Sequence, residues 1–278
     1  MTPFCAAGDL DEVMTGRKFG PVEAVDVLCQ LAGGASFLHG SGYLHRDLKP
    51  SNVFAVEADR YVIGDFGSVV PLNAQGYAQS LTQHSLLYRP PEVVTTRRSY
   101  RESDIYQLGV ILFQLLGGQL PYEETAWLST FQLQHYLGLA GPDQQLYATG
   151  VIEDRIARGR LVNTKTLPPW VPRRLVSVVR KCCALDPEGR YASAADLTAR
   201  LNNLRGNLPD WRIAGHPVLY RSRRRYRIVP IGTGFSVAAG VNPRPDYLMP
   251  LPFCAPANDA TRGSCFSSRS AGSRLMMG

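Results

Sequence analysis

The chain has 278 residues, 45% of them apolar and 19% charged, enough to bury one large core and too apolar for a disordered polymer. The formal charge of +7 is unevenly held, since residues 1–205 carry 20 Lys and Arg against 20 Asp and Glu. Residues 206–278 carry ten Arg against three Asp, so a net basic body is excluded and the surplus belongs to the tail.

The sequence opens as though in mid-strand, and Gly8-Asp9-Leu10 then turns into a short helix near Leu10–Met14. Gly20-Pro21 marks the next start, and apolar residues at 25, 28, 32, 35 and 38 predict a helix over 22–39 that Gly40 and Gly42 end. A polar loop at 45–52 follows. Residues 53–56 and 61–63 predict two short strands, a hairpin with that loop at one end and Asp65 at the other. Residues 68–88 have no periodicity and predict a long surface segment.

Asp104 to Leu116 is apolar nearly all round, which predicts a central helix packed on every side. Its apolar core from Ile105 is about a dozen residues with two Gln, too short to cross a bilayer, so no transmembrane segment is expected. Further helices are predicted over 125–139, 173–184 and 193–204. Residues 211–231 alternate loosely around an Arg cluster and suggest one or two hairpins; from Asn242 onward Pro, Gly, Ser and Asn dominate and disorder is expected. The six cysteines show no metal-ligand spacing, and no signal peptide opens the chain; together they suggest a reducing, cytoplasmic compartment.

The chemistry concentrates in His45-Arg46-Asp47-Leu48-Lys49-Pro50-Ser51-Asn52 and in Asp65-Phe66-Gly67. An aspartate in reach of a substrate hydroxyl accepts its proton as the oxygen attacks, help worth about 10²–10⁴ in rate. Lys49 offsets charge on a transferring phosphate, and Asn52 and Asp65 offer the oxygen ligands that suit Mg²⁺ on a nucleotide.

These residues resemble the eukaryotic-type protein serine/threonine kinases. His45-Arg46-Asp47 with Asn52 is similar to the catalytic loop, and Asp65-Phe66-Gly67 to the metal-binding motif. Tyr88-Arg89-Pro90-Pro91-Glu92 resembles the end of the activation segment. Asp104 matches the aspartate that holds the catalytic loop's backbone, and Arg190 the arginine that pairs with Glu92. The resemblance implies a mainly α fold of the α+β family, a helical bundle whose short hairpins carry the catalytic and metal-binding loops, with a partly disordered basic tail. It implies ATP and Mg²⁺ as cofactors and a Ser/Thr hydroxyl of a protein substrate as acceptor, Lys49 and Ser85 being the marks of that class. Asp47 would be the base. Pro3 and Cys5 would meet adenine at the hinge beside Thr2, Asp9 the ribose, and Phe54 would floor the base. His45 would pack on Phe66, and Arg46 could dock a phosphate placed on Ser80, Thr82 or Ser85.

The domains expected are a catalytic large lobe over 1–205, an Arg-rich extension over 206–241 and a tail over 242–278. The family's small lobe has no counterpart in the sequence, so a truncated kinase is the expectation and independent activity is in question. Gly232-Thr233-Gly234 is read as a turn, because the four lysines (18, 49, 165 and 181) leave none after it for a permuted phosphate loop. Two rival functions stand beside the enzyme: a catalytically silent kinase-like binding or scaffold module, and a small-molecule phosphotransferase of kinase-like fold. The cluster Arg221–Arg227 offers a surface for an acidic partner, RNA or a membrane, against the plain reading of a solvated strand face.

Overall fold

A computed structural model describes residues 8–57, 59–80, 85–221, 224–231, 234–241 and 249–250. Thr2, Pro3 and Cys5, and with them the hinge assignment, lie outside the described residues, as do Thr82, Arg223, Gly232 and all of 242–278 except Met249–Pro250. The chain divides into two compact units, 1–209 and 210–278, four residues beyond the expected boundary.

In the first unit α1 (Leu10–Gly16) starts at Asp9, whose carboxylate accepts from the Glu12 N–H at 2.9 Å. In α2 (Pro21–Gly40) Pro21 occupies the first turn, and Glu23 Oε2 accepts from the Gly20 N–H at 2.9 Å. Its stripe Ala24, Val25, Leu28, Leu31, Ala32 and Ala35 is buried. The helix then stops, and Gly42 (φ +81°) turns the chain in a conformation other residues resist. A two-residue strand, β1 (Tyr43–Leu44), leads into the polar loop.

The hairpin is β2 (Val53–Glu57) against β3 (Arg60–Ile63), with a register shift between Ala55 and Glu57. Phe54 on β2 bridges back to Asp9. In the following segment β4 (Val70–Pro71) pairs with β1, and β5 (Ala78–Gln79) pairs with β6 (Arg98–Ser99), so the stretch read as aperiodic is pinned at two places.

Two helices escape the periodicity reading. Short α3 (Pro91–Thr96) begins on a proline, and α6 (Pro142–Ala157) buries only Ala148, Ile152 and Ile156 while Leu146 is exposed. One narrow seam amid Gln, Asp and Arg leaves little amphipathic signal. The central α4 spans Arg101–Leu115, starting three residues before Asp104, because the Ser103 hydroxyl accepts from the Tyr100 N–H at 2.9 Å. Its residues from Ser103 to Phe113 are all buried. Helix α5 (Thr130–Leu137) is shorter than the span expected, since Ser129 caps it after a separate turn at Glu124–Trp127.

Helix α7 (Arg173–Cys182) crosses α4 where a Cβ on Gly109 would lie 2.4 Å from Cys182 Cβ, so only glycine admits the approach. Helix α8 (Ala194–Arg205) packs on α2, which also meets α4. One core thus joins α2, α4, α7 and α8 to the hairpin. No described helix is long and apolar enough to cross a membrane.

The second unit is an antiparallel meander of β7 (Asp210–Ala214), β8 (His216–Arg221), β9 (Arg224–Ile231), β10 (Gly234–Val241) and β11 (Met249–Pro250). It is larger than the one or two hairpins expected, and Met249–Pro250 pair with Ala238 and Ala239 inside the stretch for which disorder was expected. Arg212 and Arg225 both stack on the Tyr220 ring, at 4.5 and 4.7 Å from its centroid.

Candidate active site

The polar loop is held from beneath by the first turn of α4. Asp104 is fully buried; its Oδ2 accepts from the His45 N–H at 2.9 Å and meets His39 Nε2 at 2.8 Å, while Oδ1 accepts from the Arg46 N–H at 2.8 Å. Arg46 sits at φ +70°, a conformation costing of order 1–3 kcal/mol for a non-glycine residue. The two N–H···carboxylate bonds around it offset that cost.

Gln107, one turn further on, accepts from the Leu48 N–H at 2.9 Å and donates to the carbonyls of Arg46 at 2.8 Å and Tyr88 at 3.2 Å. This residue ties the polar loop to the segment ending at Glu92, and the sequence reading passed over it. The available signal was a glutamine three positions after Asp104 in a mostly apolar helix.

His45 engages both ring nitrogens. Nε2 donates to the Gly64 carbonyl at 3.1 Å, Nδ1 accepts from the Asp47 N–H at 3.4 Å, and the ring lies 5.9 Å from that of Phe66. The imidazole therefore braces Asp47 and the turn before Asp65.

Asp47 is the convergence point. Its Oδ2 lies 3.0 Å from Lys49 Nζ and accepts from Asn52 Nδ2 at 3.1 Å; its Oδ1 accepts from the Ser85 N–H at 3.4 Å. Lys49 also donates to the Ser85 hydroxyl at 2.7 Å. Asn52 Nδ2 donates again to the Asp47 carbonyl at 2.8 Å, so the amide presents its oxygen elsewhere. The Asn52 carbonyl in turn accepts from the Gly64 N–H at 2.9 Å, which brings the end of β3 and hence Asp65 alongside.

Asp65 is exposed, in the left-handed region at φ 53°, and its carboxylate accepts only from the Gly67 N–H, at 3.3 Å, among the bonds described for it. Gly64 before it is obligatory, because a Cβ there would lie 2.5 Å from the Phe54 ring. Phe54 is thus locked between Gly64 and the bridge to Asp9. Asp9 itself spends one carboxylate oxygen on the α1 cap.

The residues present fit Mg²⁺. They offer one anionic and one neutral oxygen, hard donors, and this ion takes the rest of its shell from water and phosphate. No cluster of three His, Cys, Asp or Glu suited to a metal exists among the described residues, so an all-protein cage is not formed.

Arg46 is engaged within the fold: Nε donates to the Ser68 carbonyl at 2.8 Å and an Nη to the Gln79 carbonyl at 3.2 Å, and burial pulls its pKa down against the pull of Asp104. Ser80 is 1% exposed, with its hydroxyl buried. Neither Ser80 nor Ser85 offers a free surface hydroxyl in this arrangement.

Glu92 and Arg190, far apart in sequence, form a bidentate ion pair at 2.7 and 2.8 Å. The Ser103 hydroxyl donates to Glu92 Oε1 at 2.5 Å. Beside Lys49 and Ser85 a cavity of about 310 Å³ opens, walled by Asp11, Tyr88 and Tyr122. Tyr122 donates to Asp11 at 2.6 Å and meets the Tyr88 hydroxyl at 3.1 Å; burial pushes the Tyr88 pKa well up, so this wall is neutral phenol.

A family model described as "Protein kinase domain" matches residues 1–200. The chain is similar to the interferon-induced, double-stranded RNA-activated protein kinase of Mus musculus, 35% identical over 116 residues, covering 41% of this chain and 22% of the relative. It is similar to the probable serine/threonine-protein kinase PknB of Lactococcus lactis, 28% identical over 176 residues, 63% of this chain and 25% of the relative. It is also similar to human mitogen-activated protein kinase kinase kinase 13, 35% identical over 122 residues, 44% of this chain and 12% of the relative. The chain spans a quarter or less of the length of these curated relatives.

Proposed function

Because the chain belongs to the protein kinase family, we infer that it is the large catalytic lobe of a serine/threonine protein kinase, moving the γ-phosphoryl group of ATP to a Ser or Thr hydroxyl of a protein substrate. The observation that supports this best is the Asp47–Lys49–Ser85 network: a carboxylate braced by a cation, itself tied to the hydroxyl of the segment that borders the acceptor cavity.

In this reading Asp47 Oδ1, which accepts from the Ser85 N–H at 3.4 Å, takes the proton from the acceptor oxygen. Lys49, 3.0 Å from Asp47 Oδ2, holds that carboxylate in place and faces the transferring phosphate. Asn52 and Asp65 would hold Mg²⁺, which when bound would neutralise phosphate charge. Phe54 and Asp9, paired across one bridge, would receive the adenosine of a bound nucleotide, with Pro3 and Cys5 proposed as the hinge residues. His45, Arg46, Phe66, Gly67, Glu92, Asp104 and Arg190 position these groups. The domains follow as a catalytic lobe to 205, an Arg-rich extension and a tail. A cytoplasmic site suits the free thiols of Cys29, Cys182 and Cys183.

The test is label transfer from γ-labelled ATP with Mg²⁺ to paired peptides differing only in Ser, Thr or Tyr. Phosphoserine and phosphothreonine are expected and phosphotyrosine is not. Transfer to Tyr at an equal rate would refute the acceptor assignment.

A further inference from the structure

The charge balance of the first unit conceals a segregation. Residues 155–185 hold eight Arg and Lys and no Asp or Glu, within a stretch (1–205) whose charges cancel. All eight are exposed except half-buried Arg155. A second cavity, about 240 Å³, opens among them. Its wall takes Gly159 and Thr164 from the loop after α6, Arg180 from α7, Cys183 from the cap that ends α7, and Tyr106 from α4. None of these belongs to the Asp47 cluster.

Four further cations adjoin the lining residues in the chain: Arg158 and Arg160 flank Gly159, Lys165 follows Thr164, and Lys181 follows Arg180. Arg173, seven residues before Arg180, lies on the same face of α7 two turns away. Two of these charges are engaged: Arg158 pairs with Asp154 at 2.8 Å, and Lys181 lies 4.6 Å from the Tyr191 ring centroid. Arg180 Nε donates to the Thr164 hydroxyl at 3.0 Å, which leaves the two Nη groups and the hydroxyl proton as donors beside one another. The floor is firm: Tyr106 is buried, the Arg190 guanidinium lies 5.1 Å from its ring centroid, and Cys183 Sγ contacts the Tyr106 carbonyl at 3.9 Å.

We propose that this cavity and its basic rim seat a phosphorylated Ser or Thr side chain within an acidic peptide segment. A guanidinium fork beside a hydroxyl donor suits the three oxygens of a phosphate monoester better than one carboxylate. The free cations on the rim suit the flanking acids. Single-stranded nucleic acid fits less well, because it stacks on aromatic platforms and the one aromatic residue of 155–185, Trp170, packs on the core. The site is independent of the catalytic reading, since binding there needs neither ATP nor Asp47.

The test uses the full chain and fluorescence anisotropy with three probes: an acidic phosphoserine peptide, the same peptide with plain serine, and single-stranded RNA of equal charge. The phosphopeptide is expected to bind at least about tenfold tighter than the serine peptide. Arg180→Glu should weaken it by about tenfold or more, and Arg160→Glu with Lys165→Glu by several-fold, more at low salt than at high. Arg224→Glu on the meander should change nothing. If Arg180→Glu melts the helical lobe by circular dichroism, Arg180→Gln replaces it with the same expectation. Equal affinity of wild type and the Arg180 variant would overturn the proposal. So would a loss as large with Arg224→Glu, or RNA binding more tightly than the phosphopeptide through Arg180.

Discussion

Replacing Glu92 by alanine isolates the contribution of the buried ion pair that closes the helical lobe. The Arg190 side chain is 0% exposed, and its guanidinium donates to both Glu92 oxygens and to the carbonyls of Ala184, Leu185 and Glu102, at 2.7–3.3 Å. In Glu92→Ala the cation stays buried, with three neutral carbonyls as its acceptors in place of a carboxylate. The Ser103 hydroxyl loses its acceptor as well. A buried charge stripped of its partner costs about 3–5 kcal/mol, a large part of the stability of an ordinary domain. Arg190→Met should cost a similar amount, because Glu92 would then be the orphan. The double variant Glu92→Leu with Arg190→Met removes both charges and should recover to within about 2 kcal/mol of the wild type. Urea unfolding followed by helical ellipticity at 222 nm reads the lobe, since the second unit is strand. Single variants each costing under about 1 kcal/mol, or a double variant costing their sum, would refute the reasoning.

Asp104→Ala leaves the buried N–H groups of His45 and Arg46 without acceptors and should destabilise by at least about 3 kcal/mol in the same urea assay. Gly109→Ala drives a methyl into α7 and should cost about 1–3 kcal/mol with a shift of that helix, read by near-ultraviolet dichroism. Burial pushes the Cys183 thiol up to about 12, so its thiolate is scarce below that pH and abundant only above it. Iodoacetamide at pH 8 should therefore label Cys183 far more slowly in the native chain than in urea, as peptide mass mapping would show; equal rates would contradict the raised thiol pKa.

What could be read from the residues, and what could not, divides along physical lines. Motif chemistry is local, so Asp47, Lys49 and Asn52 fall in one loop by spacing alone, and the long apolar α4 announces itself by composition. Arg190 and Glu92 are far apart in sequence, yet their order in the motif series pointed to the pair found at 2.7 Å. The reading failed where burial is thin. Helix α6 hides because three buried residues do not make a stripe, and α3 because its six residues open on a proline. The five-stranded meander exceeds the expected hairpins because Gly and Arg dilute its alternation. Gln107 was passed over because its role lies in bonds to two distant backbone segments, which no periodicity records. A zero net charge likewise hid the acid-free run 155–185.

The central claim is that Asp47 is the base of a phosphoryl transfer. Its most direct measurement is the rate of γ-phosphoryl transfer to a serine peptide at saturating Mg-ATP, for wild type and Asp47→Ala, both checked for an unchanged helical spectrum. Transfer by the wild type and a loss of about 10²–10⁴ in the variant are expected. No transfer by the wild type, or an unchanged rate in Asp47→Ala, would contradict the claim.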